Sequence, residues 1–171
     1  SPYAAKALPS ADRLGKLTPG LSHTVHMPSH IYLRAGQYDK GVTVNENAVN
    51  SYQKSIPLYG AVTGADFLYL IHNLHMQTNN AMLAGWETYS VKSAEETRNS
   101  IAKDYLSIPG ALGSYIQYIH MTPVLVDVRF ARWKEMLQRS RPDSRQVYAK
   151  ILDHFGRGMA YTNMADDGKA V

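Results

Sequence analysis

The sequence predicts an all-α chain of antiparallel helix pairs stacked side by side. Three observations lead there. First, a segment recurs: "HMPSHIYLRAGQYDKG" (26–41) aligns with "HMQTNNAMLAGWETYS" (75–90), and "HMTPVLVDVRFARWKE" (120–135) opens in the same way. The first two copies match Ala35-Gly36 with Ala84-Gly85, and an aromatic residue follows each turn at Tyr38, Trp86 and Trp133. Internal repetition on this scale marks an array of supersecondary units. Second, apolar and small residues fall at helical spacing, as at Val25, Ser29, Tyr32 and Leu33, while no alternating strand pattern persists. Third, glycine and proline punctuate the helical stretches where turns are needed.

The elements follow in order. Residues 1–20 are counted as a partial unit. The first full unit spans about 22–57: a His-bearing helix ends at Gly36, and a second helix carries Tyr38, Gly41, Val44, Ala48 and Tyr52 on one face. Asn45 and Asn47 are expected on its exposed side. The second unit spans about 71–109, with "AEETRNSIAKDYL" a good helix former by composition. The third spans about 116–142, and a partial fourth runs from 144 to 171. Pro57, Pro109 and Pro142 are expected to stop second helices. Residues 58–70 and 105–115 read as insertions, and Tyr52, Tyr59 and Tyr69 flank the first. Pro28 and Pro123 fall inside first helices. Those helices therefore begin late, near Thr24, or bend just after the His-Met pair.

At 171 residues this is one domain or a piece of a longer array, and the pattern broken off at Val171 is expected to continue in the native protein. Exposed repeat ends would then favour a homodimer. Hydrophobic content of 44% suits a packed core. The net charge of +4 comes without a run of basic residues, which gives no support to nucleic-acid binding. No stretch is long and apolar enough for membrane insertion. The densest basic stretch, "VRFARWKEMLQRSRPDSR", is interrupted by Asp127, Glu135 and Asp143, and reads as a solvated helix face before a dedicated anion site. Cysteine is absent, so disulfides, thiol catalysis and zinc–thiolate sites are excluded, while the compartment stays open. The methionines and tyrosines read mainly as core filling.

The histidines carry the candidate chemistry. His23, His26 and His30 share one helix face at i, i+3 and i+7, and His72, His75 and Asn79 repeat the spacing. Such rings would serve in three ways. They would hydrogen-bond between helices, hold a peptide or acidic partner, or bind zinc or another divalent ion through His23, His26, His30, His72 and His75. No carboxylate lies beside either row; Asp39, Glu46 and Asp66 are the nearest, and neither "HExxH" nor a phosphate loop is present. Catalysis is not expected from these residues, the alternative being a metal-dependent hydrolase.

Ser29, Tyr32, "AGQYDKG" and Ala48 together resemble the tetratricopeptide repeat, as does "GMAYTNMADDGKA" at the C-terminal end. More narrowly, "LPSADRLGKLTPGLSHTVHMPSHIYLRAGQYDKGV" resembles a group of bacterial tetratricopeptide-repeat proteins that carry a "VHMPxHIY" helix. The resemblance implies a right-handed α-solenoid, here with repeats longer than usual, and a scaffold role without a required cofactor. It also implies that first helices line a concave groove, at His23, His26, His30, Arg34, His72, His75, Asn79, Leu83, Gln117 and His120. The partner would be a protein or peptide.

Overall fold

The computed structural model describes residues 3–59 and 64–165; the segment 60–63 and the tail 166–171, with Ala170 and most of the expected insertion tip, lie outside the described residues. Every regular element among the described residues is a helix. Contacts divide the chain into two compact units, Ser1–Tyr89 and Ser90–Val171. No helix among the described residues is long and apolar enough to cross a membrane.

The first unit holds α1 (Leu8–Leu17), α2 (Ser22–His26), α3 (Pro28–Ala35), α4 (Tyr38–Tyr59), α5 (Gly64–Ala84) and the start of α6 (Glu87–Asn99). The expected first helix bends just after the His-Met pair: α2 stops at His26, and α3 starts afresh with Pro28. A proline in the first helical turn costs little, since its missing N–H would have had no partner there. Pro57 differs from expectation. It lies inside α4, which runs on to Tyr59, and α5 already begins at Gly64, so most of the expected insertion is helical. α2 and α3 lie along α4, and α4 lies along α5. Gly41 makes that last approach close, because a β-carbon there would stand 2.0 Å from Asn80 Oδ1. Ala48, Ile71 and Ala81 are fully buried at the centre. Polar ties fix the edges. Tyr32 donates to Asp12 at 2.7 Å beside Lys40, and Gln77 donates to Tyr89, whose hydroxyl donates to Glu46.

The second unit holds the rest of α6, a 3-10 turn at Lys103–Ser107, α7 (Gly110–His120), α8 (Thr122–Arg129), α9 (Trp133–Gln138) and α10 (Val147–Asn163). Pro109 precedes α7, and Pro142 follows α9. Met121, Val124, Met136, Ala149 and Ala160 form its core, with Trp133, Leu137 and Leu152 packed around them. Asp127, read from sequence as an interruption among arginines, is fully buried and holds Arg132 and Arg139. Asp153 pairs with Arg157 at 3.0 Å, and Arg157 also donates to the carbonyls of Leu137 and Arg139. Arg132 and Arg139 are therefore structural, while Arg129, Lys134, Arg141 and Arg145 of the same stretch are exposed, as a solvated face requires.

Three turns share one geometry. Gln37 donates to the Tyr32 carbonyl, Trp86 to Ala81 and Arg132 to Asp127, each across five residues. The residue before each donor is left-handed: Gly36 at φ 73°, Gly85 at 77° and Ala131 at 54°. Such a bond closes a helix C-terminus in the Schellman manner. Counted back from these turns, the third copy is offset by one residue. Met121, and not His120, occupies the position of His26.

Candidate metal centre

Three of the predicted histidines converge. The bend after Met27 leaves His26 on α2 and His30 on α3, one turn apart, and α5 brings in His72. His26 Nε2 stands 3.0 Å from His30 Nε2 and 3.1 Å from His72 Nε2. Across the trio, the candidate ligand atoms all lie within 4.8 Å of one another. The rings of His30 and His72 stack, and both stand edge-on to His26.

The protonation pattern follows from Asn45. Its amide nitrogen donates to the Gly41 carbonyl at 2.7 Å, which leaves Oδ1 facing His26 Nδ1 at 2.6 Å. An amide oxygen only accepts, so His26 carries its proton on Nδ1 and offers a bare lone pair at Nε2. Two other Nε2 atoms crowd that lone pair. In a purely hydrogen-bonded cluster both would have to donate into it. A metal ion placed among three lone pairs removes the conflict. Tetrahedral ligands about 2.0–2.1 Å from zinc stand roughly 3.3 Å apart, close to the spacing found here.

Charge points the same way. Burial pushes His26 down to about 3, against the opposing hydrogen bond to Asn45, and the neighbouring histidines lower it further. Burial likewise pushes His72 down to about 4 and lowers His30. All three rings are therefore neutral near pH 7, the form a metal requires. His26 is fully buried, while His30 and His72 are half-buried, so the trio has a closed wall and an accessible side. No carboxylate belongs to the trio. Three neutral imidazoles suit zinc, copper, nickel or cobalt, and do not suit calcium or magnesium.

The remaining predicted residues separate from the trio. His23 sits at its edge, its ring 5.9 Å from His26 and 4.2 Å from Tyr69. Its Nδ1 is buried without a hydrogen-bond partner. His75 is buried one turn further along α5 and pushed by burial to about 4. Asn79 is half-buried, and Arg34 is exposed at the end of α3. Gln117 and His120 belong to the second unit. There Gln117 donates to the Leu106 carbonyl, and its oxygen accepts from the backbone of Tyr148 and Ala149 at the start of α10. Its role is to hold that helix start. Asp39 and Asp66 are exposed, and Glu46 accepts from Tyr89.

Asn45 is the residue that sequence reasoning misplaced. It is fully buried, while Asn47 is exposed as expected. A signal was available: Asn45 lies four residues after Gly41 and three before Ala48, on the stripe of α4 that packs inward. No family model, curated protein or solved structure matches this chain.

Proposed function

We propose that the first unit binds one divalent transition-metal ion through Nε2 of His26, His30 and His72, on a scaffold of tetratricopeptide-like helix pairs. The observation that carries the reading is the meeting of three Nε2 atoms around a nitrogen whose lone pair is fixed by Asn45. Three protein ligands leave a fourth tetrahedral position for water or an exogenous donor. His26 anchors the ion from the buried side, and the Asn45 amide oxygen orients its ring by accepting from Nδ1–H, the part that a carboxylate, backbone carbonyl or water plays at other metal-bound imidazoles. The expected capture of a protein or peptide along a histidine groove has less support. The rings turn toward one another, and the exposed Arg34 stands outside the trio. The third expected use, polar packing between helices, leaves the crowded lone pair unexplained.

The test is metal-free chain dialysed against zinc, then elemental analysis. About one equivalent per chain is expected, reduced to background in a His30→Gln, His72→Gln chain of unchanged helicity. Cobalt in place of zinc should give the strong visible absorption of a tetrahedral ion. Equal zinc in the parent and the double variant would overturn the assignment.

A further inference from the structure

The second unit carries a site of its own, independent of the metal reading. The end of α6, the 3-10 turn Lys103–Ser107 and the segment Ser140–Gln146 line an open cleft of about 620 Å³. A volume of that order accommodates a small metabolite. We propose that this cleft binds a small molecule bearing phosphate or clustered carboxylate groups, through Arg98, Lys103 and Arg141.

The argument is a local surplus of cations. Elsewhere in the unit the buried and half-buried arginines are matched: Arg132 and Arg139 by Asp127, Arg157 by Asp153. In the cleft, Arg145 is matched by Asp143, which it grips through both carboxylate oxygens at 3.0 and 3.4 Å. Arg98, Lys103 and Arg141 have no ion-pair partner among the described residues, and Asp104 is the one remaining acid in the lining. Arg98 is half-buried and Lys103 and Arg141 are exposed at the rim, and cations gathered around a concave space focus their field on it, so an anion there is attracted more strongly than on a flat surface. Guanidinium groups also match the geometry of phosphate and carboxylate oxygens.

His120 supplies an independent sign. It lines the same cleft, yet its Nδ1 is buried without a hydrogen-bond partner. Burial pushes the ring down to about 4 and the charge of Arg98 lowers it further, against a hydrogen bond to the Arg98 backbone and the charge of Glu95. An anion bound beside Arg98 would offset that charge and raise the ring's proton affinity. A concave cleft of this size favours a small ligand over a nucleic-acid strand, which needs an extended basic track.

The chain for the test is stripped of metal and dialysed free of chelator. Inorganic pyrophosphate and citrate are titrated separately by calorimetry at constant ionic strength, with potassium chloride as the control. One saturable event is expected, and the two arms show whether phosphate or carboxylate is preferred. An Arg98→Gln, Arg141→Gln chain should weaken it at least tenfold, while Lys16→Gln, at an exposed cation of the first unit, leaves it unchanged. Amide shifts in the wild-type spectrum should localise to residues 98–107 and 140–146, a readout that holds even where the double variant folds poorly. Absence of saturation by both anions, or shifts spread evenly over the surface, would overturn the proposal.

Discussion

Acid should unfold the metal-free first unit well above the pH at which its carboxylates titrate. His26, His72 and His75 are held neutral in the folded chain, pushed by burial to about 3, about 4 and about 4 from an ordinary value of 6.5. The sign is set by proton counts. Between the folded values and 6.5 the unfolded chain binds more protons, so stability rises with pH and is lost as pH falls below 6.5. At pH 5 each fully buried imidazole forfeits about 1.5 pH units of linkage, or about 2 kcal/mol. That figure depends on the unfolded value, not on how far below 5 the folded value lies. His26 and His75 together cost about 4 kcal/mol. Half-buried His72 adds less, because water screens it. Domains of this size are commonly stable by about 5–15 kcal/mol, so the cost is a large share of the total. The assay is urea unfolding followed by circular dichroism at pH 7 and pH 5, with a chelator present. A slope of about 2 kcal/mol per molar turns the loss into a midpoint shift of about 2 M. A midpoint displaced by less than about 0.3 M would refute the reasoning, since rings that titrate normally in both states contribute no such linkage.

Other perturbations test particular contacts. Asn45→Ala should weaken zinc binding by about ten- to a hundredfold, whereas Asn45→Asp, which restores an acceptor for His26 Nδ1–H, should preserve it; competition against a chromophoric chelator measures both. Gly41→Ala should destabilise the first unit by about 1–3 kcal/mol in chemical denaturation, because its β-carbon would enter the Asn80 side chain. Gly85→Ala should cost about 1 kcal/mol and Ala131→Gly should gain a fraction of that, since both residues hold left-handed turns; thermal melts of the two variants should move in opposite directions. Asp153→Ala should cost about 3–5 kcal/mol by stranding Arg157, while an Asp153→Leu, Arg157→Met pair recovers much of the loss.

The helical class, the turns at Gly36 and Gly85 and the bend at the His-Met pair were legible because each depends on local chemistry. Gly36 and Gly85 supply left-handed caps, and Pro28 starts a helix. What stayed hidden depends on distant contacts. Nothing near Asp127 in sequence shows that it gathers Arg132 and Arg139 in a buried network. Pro57 looks like a stop, yet α4 carries it and is still helical at Tyr59. Ala131 hides the third turn, because alanine gives no compositional sign of a positive φ. Asn45 looked solvent-facing because a polar side chain is usually exposed; its place on the inward stripe of α4 buries it, and its partner His26, nineteen residues away, satisfies its oxygen there.

The turn register also decides whether the histidines are a by-product of the repeated scaffold. Counting ten residues back from the left-handed residue of each turn gives His26, His75 and Met121. Counting six back gives His30, Asn79 and Leu125. The scaffold is thus served at one position by imidazole or thioether, and at the other by imidazole, amide or an aliphatic chain. Packing alone does not demand a ring at either place. The first copy has both rings, and it is also the copy whose second helix supplies Asn45 to fix a tautomer. His72, on the neighbouring α5, adds the third nitrogen from a position three residues before the repeated His-Met pair. A substitution can therefore separate ligand from scaffold. Replacing His30 with Leu, the residue of the third copy, should leave the helices folded and within about 1 kcal/mol of the parent, because the site is half-buried and tolerates an apolar chain. Zinc binding should be lost in the same protein. Retained zinc binding would return the histidines to the scaffold.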